Sequence, residues 1–295
     1  MSIRQGMKGR LRATTVMTRL RIFETFLSPG FYIVVSLALV LAHILIYYFT
    51  RGIDSSGFNF SLNPVYDIIG RSLEGAFGKT ILEKIFADGP FFFAFCISFL
   101  PVLIFLSINS VFRLGLEKKV GALELLIYGP VDVTTCFFAF FLKDMFFSFI
   151  HFGVLSLFFF ITAAVNNLWI GSTILFSLIP LIFLSAAIYA YGVFISTLTD
   201  NSASAVALFA GIMLFFLIIM MGSFAMVSGY MRSLSTVFAW IVKWFSPIFY
   251  WSLVIEALEI QNWLMYIINS IALLALCTLL IMVSHFILKA RGVLS

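Results

Sequence analysis

The run MFFSFIHFGVLSLFFFITAAVNNLWIGSTILFSLIPLIFLSAAIYAYGVFISTLT, Met145 to Thr199, holds 55 residues and not one Asp, Glu, Lys or Arg. A helix crosses the roughly 30 Å hydrocarbon layer of a bilayer with about 20 residues, so this run is too long for one crossing and reads as a hairpin. Asn166-Asn167-Leu168-Trp169-Ile170-Gly171 supplies the turn, with the tryptophan at headgroup depth. Two spans follow, near 145–165 and 173–198.

Working outward, the same test finds other uncharged runs. Gly30 to Phe49 gives a first span and Gly89 to Phe112 a second. Thr199-Asp200-Asn201-Ser202 is a turn, followed by spans near 203–228 and 264–288. Residues 233–255 are apolar enough to cross but carry Lys243 and Pro247, with Trp240, Trp244 and Trp251 around them. A lysine at mid-bilayer costs about 2.5–3.5 kcal/mol on insertion scales, so short re-entrant or surface helices are expected there.

Composition agrees with this reading. The 295 residues are 62% hydrophobic and only 11% charged, with mean hydropathy +1.13. A soluble chain is about 25% charged, which excludes an ordinary soluble enzyme. Cys96, Cys136 and Cys277 are odd in number and lack CxxC spacing, which excludes a disulfide framework. The net charge of +5 comes from residues at the span flanks, with no basic face for nucleic acid. Six spans put 12 of the 18 Lys and Arg on the side of the termini, which the positive-inside bias assigns to the cytoplasm. The fold expected is all-α: six transmembrane helices, an N-terminal interfacial helix, and re-entrant or surface helices before the last span.

Four divisions follow. Residues 1–29 form a basic cytoplasmic segment, 30–288 the transmembrane domain with a cytoplasmic segment at 113–144 inside it, and 289–295 a cytoplasmic tail. Within the first, Val16, Leu20, Phe23 and Leu27 recur at helical spacing with arginines such as Arg19 flanking them, while Thr14, Thr18, Arg21 and Thr25 hold the opposite side. An amphipathic helix in the membrane interface fits this pattern, ended by Ser28-Pro29-Gly30. A helix buried against soluble protein is the alternative. Residues 50–88 are a polar loop with room for a short helix near Ile68 to Phe86. Gly78-Lys79-Thr80 is not a phosphate-binding loop, because Leu73 stands where a glycine is required and no strand precedes it.

No convergent catalytic set and no metal-ligand spacing occurs. His43, His151 and His285 lie in three different spans. His151 is the intramembrane candidate, with a hydrogen-bonded packing role as the other reading. Lys143 and Asp144, at the start of the third span, are expected to snorkel to the interface. Ala203, Ala207 and Gly211 form a small-residue stripe, open to an intramolecular contact or a subunit interface.

The most informative segment is Glu117-Lys118-Lys119-Val120-Gly121-Ala122-Leu123-Glu124-Leu125-Leu126-Ile127-Tyr128-Gly129-Pro130-Val131. It reads as a short charged, leucine-bearing helix stopped by Gly129-Pro130, suited either to docking a soluble partner or to anchoring at lipid headgroups. This stretch resembles the ExxxGxLELLLxxPV segment of type-2 ABC transporter permeases, in the branch of gliding-motility and copper-site-maturation permeases. Ser28-Pro29-Gly30-Phe31-Tyr32 and Tyr189 to Ala203 (YAYGVFISTLTDNSA) are similar to further family passages, so the likeness runs from about residue 20 to the last span. Gly129 and Ala122 depart from the pattern.

The resemblance implies a multi-pass subunit of the bacterial cytoplasmic (inner) membrane, paired with an identical or homologous second permease chain and two separate ABC ATP-binding subunits. Those partners would bind the ATP and magnesium, and this chain would hold no cofactor and no ATPase site of its own. The implied partner-facing positions are the Glu117 to Pro130 interval and Thr199, Asp200 and Asn201. On this reading Glu117, Lys118 and Glu124 orient docking and Leu125 and Leu126 fill a groove, with Gly121 and Pro130 among the same coupling positions. A gradient-driven carrier or channel is the alternative; such proteins place ionisable groups at broken helices near the midplane, often within internal repeats, and no repeat is found here.

Overall fold

The computed structural model describes residues 3–51, 53–54, 57–58, 67, 91–119, 133–167, 170, 172–226 and 244–290. Eight helices account for nearly all of them: α1 (Ile3–Phe26), α2 (Pro29–Arg51), α3 (Phe91–Lys119), α4 (Val133–Asn166), α5 (Ser172–Leu198), α6 (Ser202–Met226), α7 (Pro247–Glu259) and α8 (Trp263–Ala290). A two-residue antiparallel ladder, β1 (Ile53–Asp54) with β2 (Gly57–Phe58), follows α2. Among the described residues five helices, α2, α3, α4, α5 and α8, are long and apolar enough to cross a membrane. The chain is a helical, membrane-embedded, multi-pass protein. The helix expected near Ile68 to Phe86 lies outside the described residues, as do Lys243 and Trp240.

The helices are sorted inside out relative to a soluble bundle. On α2, Tyr32, Ile33, Leu37, Val40, Ile44 and Tyr47 all face outward. Buried between helices are Ser98, Ser107, Ser110, Ser148, Ser185 and Ser196 together with Ala186, Ala187 and Ala190. Small side chains let membrane helices approach closely, and the hydroxyls of Ser107, Ser110, Ser148, Ser185 and Ser196 are hydrogen-bonded inside the protein. Helix α5 is the hub, packing on α3, α4, α6, α7 and α8. It buries 72% of its spanning window, against 28% for the peripheral α2.

Local chemistry sets the helix ends. Asn167 takes a positive φ of 53° just past α4, a left-handed stop that asparagine tolerates. Asn201 caps α6, its side-chain oxygen accepting from the Ala203 amide. Ser246 caps α7 by accepting from the Phe249 amide, with Pro247 in the first turn where no donor is missed. The 13 residues of α7 extend about 20 Å, too short to cross. Its start lies against the interior of α5, where the Tyr191 hydroxyl donates to the Phe245 carbonyl.

Two helix boundaries differ from the sequence reading. Helix α3 continues past Phe112 to Lys119, and α4 begins at Val133, twelve residues before Met145. Most of the polar interval 113–144 is therefore helix, and only 120–132 lies outside the described residues. Uncharged runs mark where hydrocarbon begins, whereas a helix continues wherever its charges find partners. At 34 residues, about 51 Å, α4 outruns any hydrocarbon layer.

Pro180 sits inside α5, and a proline leaves the carbonyl four residues earlier without its amide donor. The Tyr266 hydroxyl of α8 donates to that oxygen, on Phe176, at 2.8 Å. Replacing Tyr266→Phe is expected to cost about 1 kcal/mol, as for other single hydrogen bonds. In a Pro180→Ala background, where a backbone amide again serves the carbonyl, that cost should shrink. Thermal denaturation of the four proteins in one detergent measures the coupling.

Candidate functional site

At the end of the bundle where α3 stops and α4 starts, a chain of charges joins elements far apart in sequence. Arg113 Nη1 lies 2.9 Å from Glu24 Oε2, Arg21 Nη1 lies 3.0 Å from the same oxygen, and Arg21 Nη2 pairs with Glu117. Two arginines and two carboxylates thus alternate between α1 and α3. Helix α4 supplies the floor: the Arg21 guanidinium stands 4.7 Å from the centre of the Phe140 ring, and the Cys136 thiol points to Glu117 at 3.7 Å. Burial, the largest influence on Arg21, works against its charge. Glu117 and Glu24 outweigh it and hold its pKa above the usual arginine value. Arg21 therefore stays cationic.

Lys118 extends the junction to the hub. Its ammonium donates to the carbonyls of Ser196 and of Thr199, the latter at 3.2 Å, at the C-terminal end of α5. A cation there satisfies carbonyls that have no intrahelical donor and opposes the negative end of the helix dipole. One turn back on α3, Gly115 touches the start of α6: a Cβ built on it would lie 2.6 Å from Ser202 Cα. Only a glycine allows that crossing. Gly211, in the small-residue stripe, has nothing within 4 Å of such a Cβ, and Ala203 and Ala207 are exposed, so the stripe makes no close contact within the described chain.

Of the residues singled out from sequence, Glu117 and Lys118 thus form the last turn of α3, and Thr199, Asp200 and Asn201 form the connection from α5 to α6. The structure brings these two segments together through Lys118. Gly121, Glu124, Leu125, Leu126 and Pro130 lie outside the described residues. On α1, Val16, Leu20, Phe23, Leu27 and Arg19 are exposed, whereas Arg21 turns inward. Among the described residues, no three His, Cys, Asp or Glu side chains are grouped as metal ligands would be. Compared with known proteins, the chain matches no family model, no curated protein and no solved structure.

A second polar group lies deeper. Lys143 and Asp144 are both buried in α4, their charged atoms 2.8 Å apart, and the ammonium also donates to Ser110 Oγ at 2.8 Å. This corrects the snorkelling expectation: three turns into α4, both side chains are buried between helices, where Lys143 finds a partner on α3 in Ser110. One turn further along, Ser148 and Tyr189 share a hydrogen bond. His151 follows, buried and stacked on Phe99 at 5.8 Å. Neither of its ring nitrogens has a bond of good geometry, although the Ser98 backbone is close. Beyond it the packing turns aromatic, with Phe95 against Phe152 at 4.9 Å and Phe91 against Phe159 at 5.8 Å.

Sequence reasoning gave no site role to Glu24, Arg113 or Cys136, and placed Lys143 and Asp144 at the interface instead of in a buried pair. Two signals were available. Glu24 is the one acid among the first 29 residues and sits at i+3 from Arg21, and Lys143-Asp144 is the one charged interruption between Val133 and Thr199.

Two outcomes are expected. Asp144→Ala should destabilise by about 3–5 kcal/mol by leaving a buried ammonium unpaired, whereas Lys143→Met with Asp144→Leu should cost far less. Gly115→Ala should lose about 1–3 kcal/mol by overpacking against Ser202, while Gly211→Ala should be neutral. Unfolding midpoints of purified protein measure both.

Proposed function

We propose that this chain is the membrane-spanning subunit of an ATP-driven transporter, an exporter, of the kind its motifs resemble among type-2 ABC permeases. One observation supports the reading above the others. The two segments that the resemblance turns toward ATP-binding partners, Glu117 onward and Thr199–Asn201, meet at one end of the bundle through the Lys118 contact. A load applied to the segment after Lys119 would reach α1 through Glu117, α5 through Lys118 and α6 through Gly115. Because Glu117 and Lys118 are engaged within the chain, their proposed part is transmission, and direct docking falls to Glu124, Leu125 and Leu126.

The full topology belongs to the same proposal. Helix α6, at 25 residues, about 37 Å, is taken as a sixth span, with α7 re-entrant. The basic flanks then put both termini and the junction in the cytoplasm of a bacterial inner-membrane protein. Two ATP-binding subunits and a second permease chain complete the assembly. Their closure on ATP would tilt α3 and α4 and open a route between the permease chains.

The buried Lys143–Asp144 pair with His151 beyond it favours a second reading, a carrier driven by an ion gradient, because ionisable groups inside membrane helices commonly serve such coupling. Copurification from native membranes separates the two. An ATP-binding subunit should accompany the wild-type chain and be lost on combined Glu124→Ala and Leu125→Ala replacement. A functional preparation without such a subunit would select the carrier.

A further inference from the structure

Helix α1 is turned the opposite way from an amphipathic helix on a soluble protein. Its polar side, with Thr18, Arg21, Glu24 and Thr25, faces α3 and α4: Thr25 is buried, and Arg21 and Glu24 pair with Glu117 and Arg113. Its apolar side faces away, with Val16, Leu20, Phe23 and, just past the end, Leu27 left 62%, 55%, 63% and 69% exposed. A helix that gives Arg21 and Glu24 to the protein and its apolar stripe to the surroundings is adapted to surroundings that are themselves largely apolar.

Arg12 and Arg19 decide which part of the bilayer this is. At about 100° per residue, positions 12, 16, 19, 20, 23 and 27 share one arc of roughly 100°, so the two arginines stand within the apolar stripe and not opposite it. Both are exposed, and neither has an ion-pair partner among the described residues. No acid precedes Glu24 in the sequence, and Arg4, Lys8 and Arg10 add positive charge upstream. Guanidinium groups beside an apolar stripe match the boundary between acyl chains and phosphates, the aliphatic stems lying along the lipid and the heads in the phosphate layer.

From this geometry we infer that α1 binds anionic phospholipid, Arg12 and Arg19 holding headgroup phosphates while Val16, Leu20, Phe23 and Leu27 enter the acyl boundary. The same helix carries Arg21 and Glu24 on its other side, so lipid charge is felt one helix diameter from the junction. The inference rests on the membrane placement alone and needs no ATP-binding partner.

The test uses full-length Leu20→Cys protein in nanodiscs and a water-soluble maleimide, with the wild-type cysteines as background. In phosphatidylcholine mixed with phosphatidylglycerol, labelling at position 20 should be several-fold slower than in phosphatidylcholine alone, since each basic residue at an anionic surface changes partitioning about fivefold. Arg12→Gln with Arg19→Gln should abolish the difference, and Arg12→Lys with Arg19→Lys should keep most of it. Equal rates in the two membranes overturn the inference. If both are slow, the stripe is immersed without reading headgroup charge; if both are fast, the face belongs to a protein. Neither nucleotide nor partner enters the assay, so its failure is distinct from failure of the transporter reading.

Discussion

A polar atom in hydrocarbon has no water to fall back on, and this constraint organises the chain. Several helix ends, the defect at Pro180 and the charge of Lys143 are each resolved by a named protein group. The carbonyls at the end of α5 take the Lys118 ammonium, the carbonyl orphaned by Pro180 takes the Tyr266 hydroxyl, and Lys143 takes Asp144 and Ser110. These bonds fix which helix lies beside which. Apolar packing against lipid-like surroundings gives little preference of its own, since a leucine is as content facing an acyl chain as facing a neighbour.

The two polar groupings differ in kind. In the Arg113–Glu24–Arg21–Glu117 chain the outer Arg113–Glu24 link is about one-third accessible and can be broken and remade at low cost, whereas Arg21 and Glu117 are more enclosed. The Lys143–Asp144 pair is sealed, and separating it would strand a charge. The junction thus runs from a solvent-accessible link at Arg113 to a more enclosed one at Glu117, above a sealed pair in α4.

How much of this was legible follows from what each signal measures. The spans were legible because crossing hydrocarbon imposes a length and a charge limit that appear residue by residue, and α2, α5 and α8 begin and end within a few positions of the uncharged runs. The ends of α3 and α4 were not, because Glu117, Lys118 and Lys143 are held in helix by partners 78 to 96 positions away or across an interhelical gap. Periodicity found the stripe on α1 and its polar side, but which side meets protein is decided by Glu117 and Arg113, on another helix. The closely packed glycines, Gly115 and Gly192, carry no spacing signal at all. The visible small-residue stripe on α6 faces outward.

The succession along α4, charged and hydroxyl groups from Lys143 to His151 and then phenyl rings, divides the bundle into two unlike layers. Among the described residues, an ion drawn in among the first would next meet mostly ring edges and faces, those of Phe91, Phe95, Phe152 and Phe159. A hydrocarbon-like layer of that kind raises the cost of moving charge past it, so titratable groups buried on one side are separated from the other by a low-dielectric barrier.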